Sequence, residues 1–391
     1  LRELIKKYDI TYNPEEAEPQ DLDMAKRCFD AAVELITEIG VYCYDTKSVI
    51  PIEEEDISNA LEEAPASHVI GEGAEAVELC SKGIGDDRRP IIIGGPNGAP
   101  LSEEHCLSIS TSYAREPVEG LHTGAIQSLF GQRVKANTPL EFVACQYEAL
   151  WAREAVRRAG KPGLPLLGIM SGVTSEAQNA GDFPGGLRPS DIHLVAFSNE
   201  LKVNWQDLKK IAHNHNLGNI IEACCLPMLG GYCGGPEGTA ITYIAEALQG
   251  LIIARPTSFA GVALSLRFGA SDPRAIWVNC MLPLSFISSG KKVILAYYII
   301  ATAGPCTEML CDELAAQTIA MTVSGYSALY GGGGAEIAKM DYVSGMESRI
   351  TLEIARAASG MNLSEANKIV KQLVGKYVGI LNSGKAPLGK S

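Results

Sequence analysis

The 391-residue chain has no excess of basic charge: 33 Lys and Arg against 46 Asp and Glu leave a formal net charge of −13. Nothing in that balance neutralises a phosphate backbone, which argues against a general nucleic-acid binder. A long apolar run is missing too. The longest, residues 293–303, is about half of what a spanning helix needs, and the N-terminal LRELIKKYDITYN scatters charge where a signal core would be apolar. The expectation is a cytoplasmic protein with no membrane partner. There is no CxxC pair and no secretory cysteine framework. The eleven cysteines, among them Cys28, Cys43, Cys80, Cys106, Cys145 and Cys280, are scattered and read as reduced thiols packed in a core. No P-loop lysine or dinucleotide fingerprint follows a glycine-rich segment, and no long-period repeat is visible.

What is present divides in two. Residues 1–88 are acidic and helical in pattern: DLDMAKRCFDAAVELITEIG groups Met24, Cys28, Ala31, Val33, Ile36 and Ile39 near one face before a Gly40 stop, and EEEDISNALEEAP reads as a shorter helix. This segment is expected to form a helical N-terminal extension, or cap, on a second domain spanning 89–391. There, short apolar runs alternate with helical stretches. Eight candidate strands can be counted, at 90–96, 124–131, 165–172, 193–199, 219–227, 264–269, 293–302 and 335–341, the second and last being weak. Helical period lies between them, for example in PLEFVACQYEALWAREAVRRAG, TAITYIAEALQGLIIA and EMLCDELAAQTIAMTVSGYSALY. Eight alternating units predict an α/β fold, a (β/α)8 TIM barrel, with an open doubly wound sheet as the alternative; the Gly331–Gly334 run reads as a flexible loop.

A barrel places its chemistry at the C-terminal ends of strands. That rule gathers Gly94 to Asn97, Ser171, Asn199 with Glu200, Cys224 with Cys225, Arg267, Tyr298 and the 303–309 loop around one mouth. Glu222 is the most unusual of the candidates, because it interrupts the apolar run IIEACC, and a carboxylate pointing into a barrel must be paired or functional. Cys224, Cys225, Cys233 and Cys306 offer thiolates of the kind that hold zinc, but their spacing is no zinc signature, and no metal is expected. His193 begins a strand and His213 and His215 end a helix, where structural roles suffice. Lys339, read into the last strand, is the position for a Schiff-base lysine in an aldolase reading. The loops GGPNGAP, GGYCGGPEG with Glu237, and AGPCTE open helices and offer free N–H groups to an anion.

The stretches ITEIGVYCYDT, PIIIGGPNGAPLSE, AGKPGL, SNELK, PMLGGYCGGPE, AGPCTEM and GMESRITLEIARAASG, in this order, make the chain resemble the monomethylamine:corrinoid methyltransferase family over nearly its whole length. The resemblance implies a TIM barrel with a helical N-terminal extension, a homo-oligomer, and a methyl group passed from a small methylated substrate to the cobalt of a separate corrinoid protein, with no cofactor held tightly by this chain. It also implies replacements in the site. The family's pyrrolysine falls at Leu167, the acid of the fourth unit at Leu194, the acid ending strand five at Cys224 and the amide ending strand seven near Tyr298. The expected site is therefore Glu222, Tyr298 and Cys224 as catalytic groups, with Leu167, Leu194, Asn199, Arg267 and Glu237 binding substrate. A quaternary ammonium or sulfonium donor leaves as a neutral molecule, so the expected function is a pyrrolysine-independent methyltransferase using an apolar and cation–π lining. A non-catalytic homolog that binds a ligand or the corrinoid protein, and a zinc-thiolate methyltransferase, are the alternatives.

Overall fold

A strand with neighbours on both edges and helices on its outer face meets no water, so its side chains must be apolar or fully hydrogen-bonded. The computed structural model describes residues 1–335 and 339–390 and meets that condition with a closed barrel. Its parallel strands are β1 (Ile91–Gly94), β2 (Gly120–His122), β3 (Leu166–Gly168), β4 (Ile192–Ala196), β5 (Ile220–Cys225), β6 (Ser258–Gly261), β7 (Leu295–Ile300) and β8 (Ala328–Gly333), with β8 paired back onto β1.

The helices are α1 (Arg2–Lys7), α2 (Leu22–Ile39), α3 (Glu54–Glu63), α4 (Cys106–Arg115), α5 (Pro139–Arg158), α6 (Ser175–Asn179), α7 (Trp205–Leu217), α8 (Pro236–Ala254), α9 (Pro273–Ser288), α10 (Glu308–Ser324), α11 (Gly345–Ala358) and α12 (Leu363–Ser383). Their ends carry local signals. Asp21 accepts from the Met24 amide at the start of α2, and Gly40, at φ +64°, ends that helix.

Three strands lie where the apolar runs did not point. The second precedes residues 124–131, which instead form short ladders beyond the barrel, Ala125–Ile126 with Pro100–Leu101 and Ser128–Leu129 with Gln132–Arg133. The sixth precedes residues 264–269, where Leu264–Ser265 pairs with Met228–Leu229 outside the barrel. In both cases the true strand is too short to stand out as a run, and barrel closure selects it.

The eighth strand is ALYGGG, which reads locally as a helix end followed by a loop. Helix α10 stops at Ser324 because Gly325 takes the left-handed conformation, and the chain then enters the sheet. Glycine is required there: Gly331 has φ +78°, and a Cβ on it would lie 1.8 Å from Asn97 Nδ2. Of the expected strand at 335–341, residues 336–338 lie outside the described residues, and Lys339 follows the true strand instead of lying on it.

The N-terminal region is only partly helical. Helix α2 packs on α8 and α9 on the barrel's outer surface. Val41–Cys43 and Ser48–Ile50 form a hairpin that pairs with Lys202–Val203 after β4. A second hairpin, Ser67–Ile70 with Val77–Cys80, closes the end where strands begin: the Gly71 and Glu72 amides donate to the Ser190 and Gly163 carbonyls, just before β4 and β3.

At the opposite end, loops leaving the strands are held by buried side chains of the helix layer. Glu141 of α5 accepts from the Val173 and Thr174 amides, and Glu148, one helical stretch on, accepts from Met170 and Ser171, both at 2.7 Å. Glu246 of α8 takes the Glu200 amide, Asn279 of α9 bonds both the N–H and C=O of Ala263, and Glu313 of α10 takes Thr302 and Ala303. Each satisfies backbone groups that would otherwise be buried alone. Glu148→Ala leaves two buried amides unpaired and is expected to lower unfolding free energy by roughly 2–5 kcal/mol, whereas Glu148→Gln retains an acceptor and loses less. Urea unfolding at pH 8 checks the order; equal midpoints for the two variants would refute this role.

Candidate functional site

Staggered parallel strands in a closed barrel direct side chains inward in levels of four, contributed by alternate strands. The pairing register assigns Ile93, Leu167, Glu222 and Ala296 to one level. His122, Leu194, Ala260 and Tyr330 lie above it, then Gly95, Ile169, Cys224 and Tyr298, and Ala196 stands at the top. Three of these positions, Ala296, Ala260 and Ala196, carry alanine, beside which two tyrosines enter the lumen. Solvent reaches Ala196, which is exposed, and grazes Leu194 and Tyr298 at 6%; Glu222, His122, Tyr330 and Leu167 have no exposure at all. Exposure along the lumen thus ends at Leu194 and Tyr298, and the polar side chains of Glu222, His122 and Tyr330 are sealed from solvent.

Among these, Glu222 Oε2 accepts from Ser258 Oγ at 2.8 Å and from the Tyr330 hydroxyl, while Oε1 has no hydrogen-bond partner. Burial pushes the Glu222 carboxyl up to about 7, against the two hydroxyls that pull it down. The acid therefore sits near half-ionisation at neutral pH. His122 is the complementary group. Its Nδ1 faces the Thr123 carbonyl at 2.9 Å, and a carbonyl only accepts, so Nδ1 carries the proton and Nε2 keeps a bare lone pair with no partner. Burial lowers its pKa to about 4, so the ring is neutral. Tyr298 stands edge-on to both His122 and Tyr330, with ring centroids 5.7 and 5.1 Å away, and its hydroxyl has the Cys224 thiol as its polar neighbour.

Of the expected site residues, the register brings together Glu222, Tyr298, Cys224, Leu167 and Leu194. Leu167 nevertheless does not line the mouth: it shares the level of Glu222 and lies below Leu194 and Tyr298. The next residue, Gly168, turns outward, where a Cβ would meet Thr123 Oγ1 at 2.7 Å. Cys224 faces the lumen, and burial raises its pKa and keeps it a thiol. Cys225 follows it on the strand and so faces the helix layer, which separates the two sulfurs. Among the described residues no three His, Cys, Asp or Glu side chains form a group able to hold a metal ion.

The other three are engaged elsewhere. Asn199 exchanges hydrogen bonds with the Leu226 backbone, at 2.6 and 3.0 Å, and ties the loops after β4 and β5 together. Arg267 is exposed, stacks over Phe268 and reaches the Asn382 carbonyl of α12. Glu237, in the first turn of α8, accepts from the Tyr12 amide and anchors the N-terminal segment. His193 and His213 both bond Asp182 at 2.8 Å, outside the lumen, and Lys339 stacks on Tyr342.

Sequence reasoning missed His122 and Tyr330. His122 lies in EGLHTG, a strand too short to register, and Tyr330 was absorbed into a helix. A buried histidine between glycines was the available signal.

Known proteins repeat this architecture throughout. A family model described as monomethylamine methyltransferase MtmB matches residues 1–391. Monomethylamine methyltransferase MtmB1 of Methanosarcina acetivorans and MtmB of Methanosarcina mazei are each 33% identical over 390 residues, covering 100% of this chain and 84% of theirs. The crystal structure of the Methanosarcina barkeri monomethylamine methyltransferase MtmB superposes with a TM-score of 0.96 at 31% identity, over 100% of this chain and 85% of that one, and so does a hydroxylamine complex of MtmB. Sequence and backbone agree from end to end, and on that agreement the chain belongs to the monomethylamine methyltransferase MtmB family.

Proposed function

We propose that this chain moves a methyl group from a small methylated cation, of the ammonium or sulfonium kind, to the cobalt of a corrinoid protein docked on the barrel mouth, and does so without pyrrolysine. The observation that carries the reading is Glu222: a fully buried carboxyl with one oxygen unpartnered, beneath the ring of Tyr298. A cation resting on Tyr298 gains the attraction of the ring face and of the carboxylate below it, in a site drier than water. Leucines at 167 and 194 add apolar surface and no electrophile.

The corrinoid would come from outside, and the rim fits delivery by a protein. The loops after β3 and β6 and the first turn of α11, which follows β8, expose Val173, Leu266 and Met346 at 76, 61 and 62%. Apolar side chains this exposed, around a single opening, favour a docked partner over bare solvent. The corrinoid would supply the cobalt nucleophile, and this chain's residues would act on the donor. Ala196 leaves the opening clear above Leu194 and Tyr298, so a donor held by its charged centre at Tyr298 directs a methyl group toward the partner. Glu246, Glu141 and Glu148 keep the surrounding loops in place.

The role of Glu222 follows from charge. As the methyl departs, the donor loses its positive charge, so an anion beneath it stabilises the bound cation more than the transition state. Glu222 therefore works mainly in binding. Glu222→Gln is expected to raise KM about tenfold or more while kcat holds or rises. Because burial raises the pKa to about 7, the carboxylate form is gained as pH rises; kcat/KM should climb between pH 6 and 8 in the parent chain and stay flat in the Gln variant. An effect confined to kcat would contradict the assignment.

The broader reading is tested under anaerobic conditions. The chain, reduced corrinoid protein and separate donors (methylamines, betaines, methylated sulfonium compounds) are mixed, and corrinoid absorbance is followed. Methylation with at least one cationic donor is expected; none with any donor would overturn the proposal.

A further inference from the structure

The closed end of the barrel carries a second cleft, of about 490 Å³, between the hairpin Ser67–Ile70 with Val77–Cys80, the segment entering β1 and the turn between α9 and β7. In a chain with a net charge of −13 its walls are cationic: Lys82, Arg88, Lys291 and Lys292 line it, with Glu78 the one acid in the lining. Arg88 is bound to Asp86 at 2.5 Å, but the lysines have no such pairing among the described residues.

Lys82 is the decisive member. It is 9% exposed, and its ammonium is buried with no hydrogen-bond partner. A buried ammonium needs compensation, and Lys82 has only the longer-range attraction of Asp86, which is already bound to Arg88, and of Asp87, with Arg88 opposing them. The carbonyls ending α9 account for lysines at 291 and 292; they leave Lys82 unexplained. An oxyanion in the cleft supplies negative charge beside Lys82, Lys291 and Lys292, all three of which line it.

We propose that this cleft, at the end of the barrel opposite the mouth, binds a small phosphate-bearing anion through Lys82, Lys291 and Lys292. The volume accommodates more than a bare phosphate, and three ammonium groups match a multiply charged ligand. The site is separate from the methyl-transfer reading and stands or falls without it.

Calorimetry and thermal unfolding with inorganic phosphate and pyrophosphate, at ionic strength matched with chloride, test the assignment. Pyrophosphate should bind with a sub-millimolar Kd and raise Tm, and malonate should bind at least about tenfold more weakly. Desolvation lowers the Lys82 pKa to about 8, and a bound anion restores the charged form, so binding at pH 8 should take up protons and its heat should vary with buffer. Lys82→Met should lose affinity by about tenfold or more while its ligand-free Tm holds or rises, because a buried charge has been removed. The surface variant Lys291→Glu with Lys292→Glu should weaken binding too. Tm changes equal to those in chloride, malonate binding as tightly as pyrophosphate, or unaltered affinity in both variants would overturn the proposal.

Discussion

Hydrogen bonds from helix-borne carboxylates and amides to the backbone beyond each strand are what the mouth of this barrel depends on. A loop leaving a parallel strand has lost its sheet partners and cannot reach water while it crosses under a helix. Glu141, Glu148, Glu246, Asn279 and Glu313 take those backbone groups from behind, leaving the lumen side free of obligation. The cost shows in the acids themselves. Burial pushes Glu148 up to about 7 and Glu246 to about 8, although amide donors pull the other way. Such positions tolerate neither loss of the acceptor nor a change of length, and they hold the loops rigid around whatever occupies the mouth.

Within that frame the lumen is built by contrast of size. Ala296, Ala260 and Ala196 stand where an average barrel carries branched aliphatics, and Tyr298 and Tyr330 project beside them from adjacent strands. The two rings seal a carboxyl and a neutral imidazole whose free atoms are both acceptors. A lumen with spare acceptors beneath aromatic rings is electrostatically prepared for positive charge above them. The opposite end has the reverse character, with unpaired ammonium groups where strands begin.

Local pattern was sufficient for the barrel but not for three of its strands. A strand in a closed barrel is chosen by its neighbours: β2 needs three residues and β8 accepts three glycines because the gap between flanking strands is already set. The misplacement of β2 and β8 is why His122 and Tyr330 went unread, whereas Glu222, seated in a long apolar run, was conspicuous. Family resemblance pointed to Leu167 as part of the mouth, and the stagger of the barrel lowered it two levels. Asn199, Arg267 and Glu237 were near the right loops and faced the wrong way, since a sequence gives a residue's position along a loop and not its direction.

By itself the amino-acid order determined the alternation of strand and helix, the family, the acidic balance and the oddity of a carboxylate among aliphatics, because each of these is a property of neighbours along the chain. Only tertiary structure decided which atoms lack partners: the free oxygen of Glu222, the bare nitrogen of His122 and the unpaired ammonium of Lys82. Satisfaction of a polar group is settled by residues a hundred or more positions away, as Tyr330 settles one oxygen of Glu222, and burial then sets its charge.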